Sequence, residues 1–439
     1  MKIIFNQFLS KTNILDKLLI SLIFLFPLFL SLSIFLADLF ASISALIVIA
    51  LLFFKENKKY FFQIKSEINF FLIFYFIVLI SLLFSKSLDK SFLPSFFYFR
   101  YFLFILGIYY LFKKHNFFIN IFFYSLIFTF SIITIDSFIQ FLMGYNLLGY
   151  KTGLDPTPYL TSFFDDEKKL GSYLIRLMPL FLSLLYMLNL KKFSPIIILI
   201  FGVIIFLSSE RTALFLLFVL LLFYFLINKK KIKFLIISSL VIFIVFISND
   251  KLRYKYLDYT LQQLGFIKTS WNQNYEDKKR FFSKEHEDLA LTSLIIFKDN
   301  FFKGSGIKTF YEVCNLYKLK EEENKLDYLK FLNRNNKITC STHPHNTYLQ
   351  ILSEIGIFGF FMIFFLFLRA LYENIKIIFK KNFSNLIMSY YLLNVGIIIN
   401  LFPLIPSGNF FNNWMSLIMF YPLGYLLYMH KEIKRENVK

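Results

Sequence analysis

The sequence predicts an all-α polytopic membrane protein of about twelve spans, with a large, mostly helical loop domain outside the bilayer. Three observations predict it. Of 439 residues, 57% are hydrophobic and 21% aromatic, against roughly 45–50% apolar in a soluble domain. Apolar runs of roughly 20 residues recur, each long enough to cross the hydrocarbon core. Basic residues concentrate in every second connection, as the positive-inside rule requires. A β-barrel would need short alternating segments instead.

The spans fall near 18–36, 38–54, 68–85, 95–112, 117–143, 170–190, 194–209, 211–228, 234–248, 347–371, 384–403 and 413–429. The first lacks a small-residue cleavage site and is followed by more spans, so it reads as an anchor and not a signal peptide. Net charge is +20, from 48 basic and 28 acidic residues. In a soluble protein this would suggest nucleic acid. Here the basic residues sort to one side: Lys2 and Lys11; Lys55, Lys58 and Lys59; Lys113 and Lys114; Lys191 and Lys192; Lys229, Lys230 and Lys231; Lys376, Lys380 and Lys381; Lys431, Lys434 and Arg435. Both termini are therefore expected in the cytoplasm. The chain divides into N-terminal spans (1–94), a core of spans bearing arginines with a loop at 144–169 (95–248), an extracytoplasmic loop domain (249–346) and C-terminal spans (347–439). Within the loop domain, 285–299 reads as a helix with an apolar stripe and 318–332 as a charged helix. Trp271 and both cysteines also fall there. In an oxidising compartment Cys314 and Cys340 would pair, closing a loop of about 26 residues; the alternative is two free thiols.

The chemistry concentrates in Cys340-Ser341-Thr342-His343-Pro344-His345-Asn346, which runs directly into the tenth span. Pro344 suits the first turn of a helix. If the helix continues, Asn346, Gln350, Ser353 and Glu354 share one polar stripe, and Gly356 and Gly359 allow a neighbour to approach closely. A carboxylate within a span faces a partner or an aqueous cavity. The bland alternatives are helix–helix contact for the stripe and helix capping for the histidines. His-x-His with no third ligand is a weak metal signal.

Ser208-Ser209-Glu210-Arg211-Thr212 interrupts two apolar runs and places Arg211 at the same face. Its guanidinium either snorkels or forks onto phosphate oxygens. Arg176 and Arg100 lie within spans, and Asp136 and Gln140 form an i, i+4 pair near an outer end. Charges there cost roughly 2.5 kcal/mol or more, so they demand internal partners or an aqueous pocket. His286 precedes the amphipathic helix, and Gly304-Ser305-Gly306 follows it. That glycine pair reads as a turn after a helix, with phosphate binding the weaker reading.

Together these pieces resemble the O-antigen ligase and polymerase superfamily of bacterial envelope glycosyltransferases. They occur in family order: Asp136, Gln140 and Gly144-Tyr145-Asn146; Phe163-Phe164-Asp165-Asp166-Glu167-Lys168-Lys169-Leu170-Gly171; Ser208-Ser209-Glu210-Arg211-Thr212; Gly304-Ser305-Gly306; and His343-Pro344-His345-Asn346-Thr347-Tyr348-Leu349-Gln350. His286 stands where many members carry an arginine. A subset with histidine there and Cys-Ser-Thr-His-Pro-His-Asn is closer to this chain. The resemblance implies a GT-C-like glycosyltransferase architecture in the bacterial inner membrane, working at the periplasmic face. The donor would be a glycan on undecaprenyl diphosphate and the acceptor a sugar hydroxyl, such as lipid A–core. His345 would be the general base. Arg211, Arg176, Arg100, His286, His343 and Asn346 would bind substrate or diphosphate, with Asp136, Gln140, Gln350 and Glu354 in support. Neither metal nor cofactor is implied, and displacement would be inverting. Within the class, a repeat-unit polymerase or a protein O-oligosaccharyltransferase is the alternative. Outside it, a polysaccharide transporter or flippase is disfavoured by the lack of inverted repeats.

Overall fold

The computed structural model describes residues 2–154, 157–228, 246–267, 279–322, 338–380 and 383–436, with residues 240 and 244 between them. Trp271, most of the expected span at 234–248 and the part of the charged helix beyond 322 lie outside the described residues. The helices are α1 (Lys2–Lys11), α2 (Ile14–Leu32), α3 (Ile34–Phe53), α4 (Lys55–Phe62), α5 (Lys65–Leu83), α6 (Leu88–Phe96), α7 (Phe99–Lys114) and α8 (Phe118–Met143). After a two-stranded hairpin (Gly153–Leu154 with Pro158–Tyr159) come α9 (Leu170–Met187), α10 (Ser194–Leu207) and α11 (Arg211–Ile227). A short helical stretch at 250–263 precedes α12 (Lys284–Asp299) and α13 (Phe310–Glu322). The chain closes with α14 (Thr347–Ile378), α15 (Asn385–Asn400) and α16 (Asn413–Glu436).

The expected twelve spans are corrected to seven. Among the described residues, seven helical segments are long and apolar enough to cross a membrane: Ile14–Leu32, Ile34–Phe53, Lys65–Leu83, Leu88–Lys114, Phe118–Met143, Leu170–Met187 and Thr347–Ile378. The physical reason lies in length and dilution. The run at 194–209 gives a helix of 14 residues, which at ~1.5 Å per residue reaches roughly 21 Å, short of the ~30 Å core. The apolar helices Arg211–Ile227 and Asn385–Asn400 are likewise short. α16 is long, but Trp414, three tyrosines, His430 and a charged last stretch dilute its apolar character.

Helix α9 lies at the centre and is buried along nearly its whole length. It packs on α10, α11, α15 and α16. Ser183 Oγ donates to the Ser389 carbonyl across the α9–α15 contact (2.9 Å), and Tyr173 OH reaches the Pro27 carbonyl on α2 (2.6 Å). Two ends of the bundle differ in charge. At one, Asp16 pairs with Lys114 (2.8 Å) and His115 (3.0 Å), Glu67 with Lys431 (2.9 Å), and Lys113 with Glu432. At the other lie the histidine segment, the 144–169 loop and the 279–322 region.

Candidate active site

Helix α14 begins where Asn346, in extended conformation, turns its Oδ1 onto the N–H groups of Tyr348 (3.0 Å) and Leu349 (3.1 Å). This is an N-cap, which satisfies donors that a helix start would otherwise leave unpaired. The same side chain donates through Nδ2 to the Pro403 carbonyl (2.8 Å) and the Ile405 carbonyl (3.3 Å). One residue thus starts the helix and ties it to segment 403–409.

That segment forms one wall of the site. The Ser407 N–H donates to the His345 carbonyl (2.8 Å), and His343 Nε2 donates to the Ser407 carbonyl (3.2 Å). With Nε2 carrying the proton, His343 Nδ1 accepts from Thr342 Oγ1 (3.0 Å). Gln350 continues the wall: it donates to Asn409 Oδ1 (2.8 Å) and Glu354 Oε2 (3.0 Å) and accepts from the Phe410 N–H (2.8 Å). Nothing in the sequence couples 403–409 to the histidines. Pro403, Pro406 and Gly408 mark it only as irregular.

His345 sits in the left-handed region at φ +53°, a conformation costing a non-glycine residue roughly 1 kcal/mol or more. Its ring centroid lies 4.1 Å from that of His343 and 5.7 Å from that of His286. Ser341 Oγ approaches its Nε2 at 3.3 Å. His286 is set at the start of α12 by Ser283 Oγ, 2.6 Å from Nδ1. Three imidazoles so close, with His343 buried and the other two half-buried, cannot all be cationic at low cost. Burial, then the neighbouring His345, pushes His343 down to about 4. Burial and then His286 lower His345, with Glu285 opposing. Burial lowers His286; Glu285 opposes and the Arg211 charge adds to the lowering.

Arg211 therefore belongs to the same electrostatic neighbourhood. Its guanidinium donates to Thr260 Oγ1 (3.0 Å) and Gln263 Oε1 (2.7 Å) and lies 5.6 Å over the Tyr259 ring. Its neighbour Glu210 carries no role of its own in the sequence pattern. Its carboxylate accepts from Gly171 N (2.6 Å) and from Ser172 N (3.0 Å) and Oγ (2.7 Å), so it caps α9. Burial raises its pKa, and these bonds oppose that.

The other expected positions resolve into internal partners. Arg100 forks onto Asp38 (3.0 and 3.2 Å) and stacks on Tyr101 at 4.3 Å. Arg176 donates to Asn400 Oδ1 (2.7 Å). Asp136 accepts from Leu147 N (2.8 Å) and Ser162 Oγ (2.6 Å), and Gln140 from Thr161 N (2.9 Å) and Ser162 N (2.8 Å). Among the described residues, no hydrogen bond or ion pair joins Arg100, Arg176, Asp136 or Gln140 to the histidines.

The glycine turn has a different task from a phosphate cradle. α14 breaks at Gly356 (φ 77°, ψ −172°). Breaking a helix frees carbonyls that must find donors. Ser305 N donates to the Ser353 carbonyl (2.9 Å), Gly306 N to the Glu354 carbonyl (2.9 Å), and Ile357 N to the Phe301 carbonyl (2.9 Å). A Cβ on Gly304 would stand 2.2 Å from the Glu354 carbonyl oxygen, and one on Gly356 2.6 Å from that of Phe302. The turn is plugged into the break. A disulfide between Cys314 and Cys340 ties α13 to the histidine segment, and Ser293 Oγ bonds the Leu349 carbonyl (2.7 Å). Among the described residues, no three His, Cys, Asp or Glu side chains group as metal ligands.

Fold and site define a polytopic helical membrane protein with a histidine-lined site at the mouth of a broken helix. Residues 196–364 match the family model described as O-antigen ligase, which supports placing the chain in the superfamily it resembles. The matched region carries Arg211, His286, both cysteines, His343 and His345. Comparison with curated proteins returned no match.

Proposed function

We propose that this chain is an O-antigen ligase-like glycosyltransferase, moving a glycan from undecaprenyl diphosphate to a sugar hydroxyl at the periplasmic face. The observation carrying this reading is His345, held in a strained backbone conformation against two imidazoles, with its pKa lowered by burial and then by His286. A base must be unprotonated before it acts, and a lowered pKa favours that form. His345 takes the acceptor hydroxyl proton as that oxygen bonds to the anomeric carbon. The carbon–oxygen bond to the diphosphate breaks, and undecaprenyl diphosphate leaves with the electron pair. The leaving group is already a stable anion, so it needs charge stabilisation more than a proton. Arg211 supplies it: its guanidinium fork suits phosphate oxygens, and its charge is felt at His286, beside the base. Arg100 is paired with Asp38, whereas Arg211 lies in the electrostatic neighbourhood of the histidines, which makes it the first-choice phosphate group in this reading. His343, fixed at both nitrogens, orients substrate or His345.

The basic end of the bundle is the cytoplasmic one in this reading, and both termini lie there. The test is a lipopolysaccharide gel with analysis of lipid-linked glycans in a strain carrying His345→Ala. Loss of transfer at unchanged protein level supports the base assignment; wild-type transfer would sink it. Long glycans left on the lipid carrier indicate a ligase, and single transferred repeats a polymerase. Loss of glycoprotein with intact lipopolysaccharide would redirect the acceptor to protein.

A further inference from the structure

A cavity of about 480 Å³, lined by none of His286, His343 and His345, lies between α5, α7, the second half of α14, α15 and α16. Its middle is apolar, walled by Phe74, Phe102, Ile363, Leu393 and Phe420. Its two ends differ. Towards the basic end of the bundle it opens beside Arg369, His430 and Lys434, with Arg369 and Lys434 exposed. Glu67 and Glu373 also line this mouth, and Glu67 is offset by its ion pair with Lys431 (2.9 Å). At the far end it reaches Leu401, Phe410 and Asn400, the last with its side chain bonded to Arg176 (2.7 Å).

We infer that this slot is a binding site for an anionic phospholipid, with one acyl chain inserted and the phosphate at Arg369 and Lys434. Three features select that occupant. The first is length. From Tyr390 to Leu401 along α15 is roughly 16 Å at helical rise, close to the ~15 Å of one leaflet's hydrocarbon. The second is polarity: apolar walls lead to a basic mouth, matching an acyl chain and a phosphate in the order a lipid presents them. The third is Asn394, 3% exposed and lining the cavity near the Tyr390 hydroxyl, whose buried Nδ2 makes no hydrogen bond of ordinary geometry among the described residues. A glycerol-ester carbonyl is an acceptor of the right kind. A carrier lipid entering with its diphosphate at the far end would have to break the Arg176–Asn400 bond, so the basic mouth sets the orientation.

The experiment uses the purified full chain, stripped of lipid and reloaded with phosphatidylglycerol or with phosphatidylcholine of the same acyl chains. Bound lipid is counted by native mass spectrometry. Phosphatidylglycerol should be retained roughly tenfold or more over phosphatidylcholine, since two basic groups each favour an anionic headgroup. The double variant Arg369→Gln/Lys434→Gln, on exposed positions that do not threaten folding, should abolish that preference. Leu393→Trp should lower retention of both lipids by filling the slot. sn-Glycerol 3-phosphate alone should not bind. Equal retention of the two lipids, a preference unmoved by the double variant, or equal binding of glycerol phosphate would each overturn the proposal. So would loss of binding on Arg176→Gln with Arg369→Gln/Lys434→Gln unaffected, which would reassign the slot to a lipid entering from the far end.

Discussion

Two polar regions at the same end of the bundle behave in opposite ways. Around Asp136, Gln140 and Asn146, side chains are spent on backbone. Asp136 holds Leu147 N, Gln140 holds Thr161 N and Ser162 N, and Asn146 holds Leu148 N, Tyr150 N and the Ser162 carbonyl. Around His345 the backbone does the holding, and the ring is left against two other imidazoles. The first arrangement builds a loop. In the function proposed above the second builds a reactive group, because a strained and fixed backbone aims a side chain that has few obligations of its own. Polar residues in a membrane protein are therefore not equal evidence of function; what matters is whether their hydrogen-bonding capacity is already committed.

The largest expected effect separates the two regions directly. His345→Ala should lower transfer by roughly 100-fold or more while leaving protein abundance unchanged. Asp136→Ala should do the reverse: it leaves Leu147 N and Ser162 Oγ without their acceptor, at about 1–3 kcal/mol each, so protein amount falls and the remainder works. Activity and abundance measured in one membrane preparation decide it. If the two variants lose the same property, the contrast fails.

Gly304→Ala and Gly356→Ala come next. Each puts a methyl against a backbone carbonyl at positive φ, where nothing flexible can yield. Both should lose folded protein, Gly304→Ala at the tighter contact of 2.2 Å more severely. A normal yield of Gly304→Ala would break the claim that the turn plugs the helix.

These glycines show where sequence reading stops. The pair at 304 and 306 is visible as a turn, and Gly356 as a small residue in an apolar run. That the turn caps the break depends on Ser305 meeting Ser353 across the fold, and no local pattern encodes such a meeting. The same holds for Ser407 and Asn409. His343, His345, Asn346 and Arg211 are legible because their chemistry is dense and local, at the junction of a polar segment and an apolar run. Glu210 hides beside Arg211, since a carboxylate next to a guanidinium reads as its partner and here caps α9 instead. The span count fails for another reason. Hydropathy marks apolar runs whether they give 14 or 26 residues of helix, and only the longer of these reaches across a membrane.

A smaller effect tests the phosphate side. Arg211→Lys keeps the charge and removes the fork that Thr260 and Gln263 now occupy. Transfer should fall several-fold, with less change in protein level. Wild-type kinetics in that variant would leave Arg211 as a membrane-edge residue tied to the 250–263 stretch.

The smallest effect is in pH. His343 takes up its proton near 4 in the folded chain, against an ordinary value of 6.5. Between those values the unfolded chain holds more protons, so folded stability is fully present above about 6.5 and declines as pH falls towards 4. His343→Gln removes one such titration. The variant should lose stability less steeply than the wild type over that window, by up to one proton's worth of slope, in thermal unfolding monitored in detergent. Its transfer activity should fall less than that of His345→Ala, since His343 has both nitrogens engaged by Thr342 and Ser407. If instead His343→Gln abolishes transfer and His345→Gln does not, the roles of the two imidazoles are exchanged. Backbone strain at 345 would then serve to place His343.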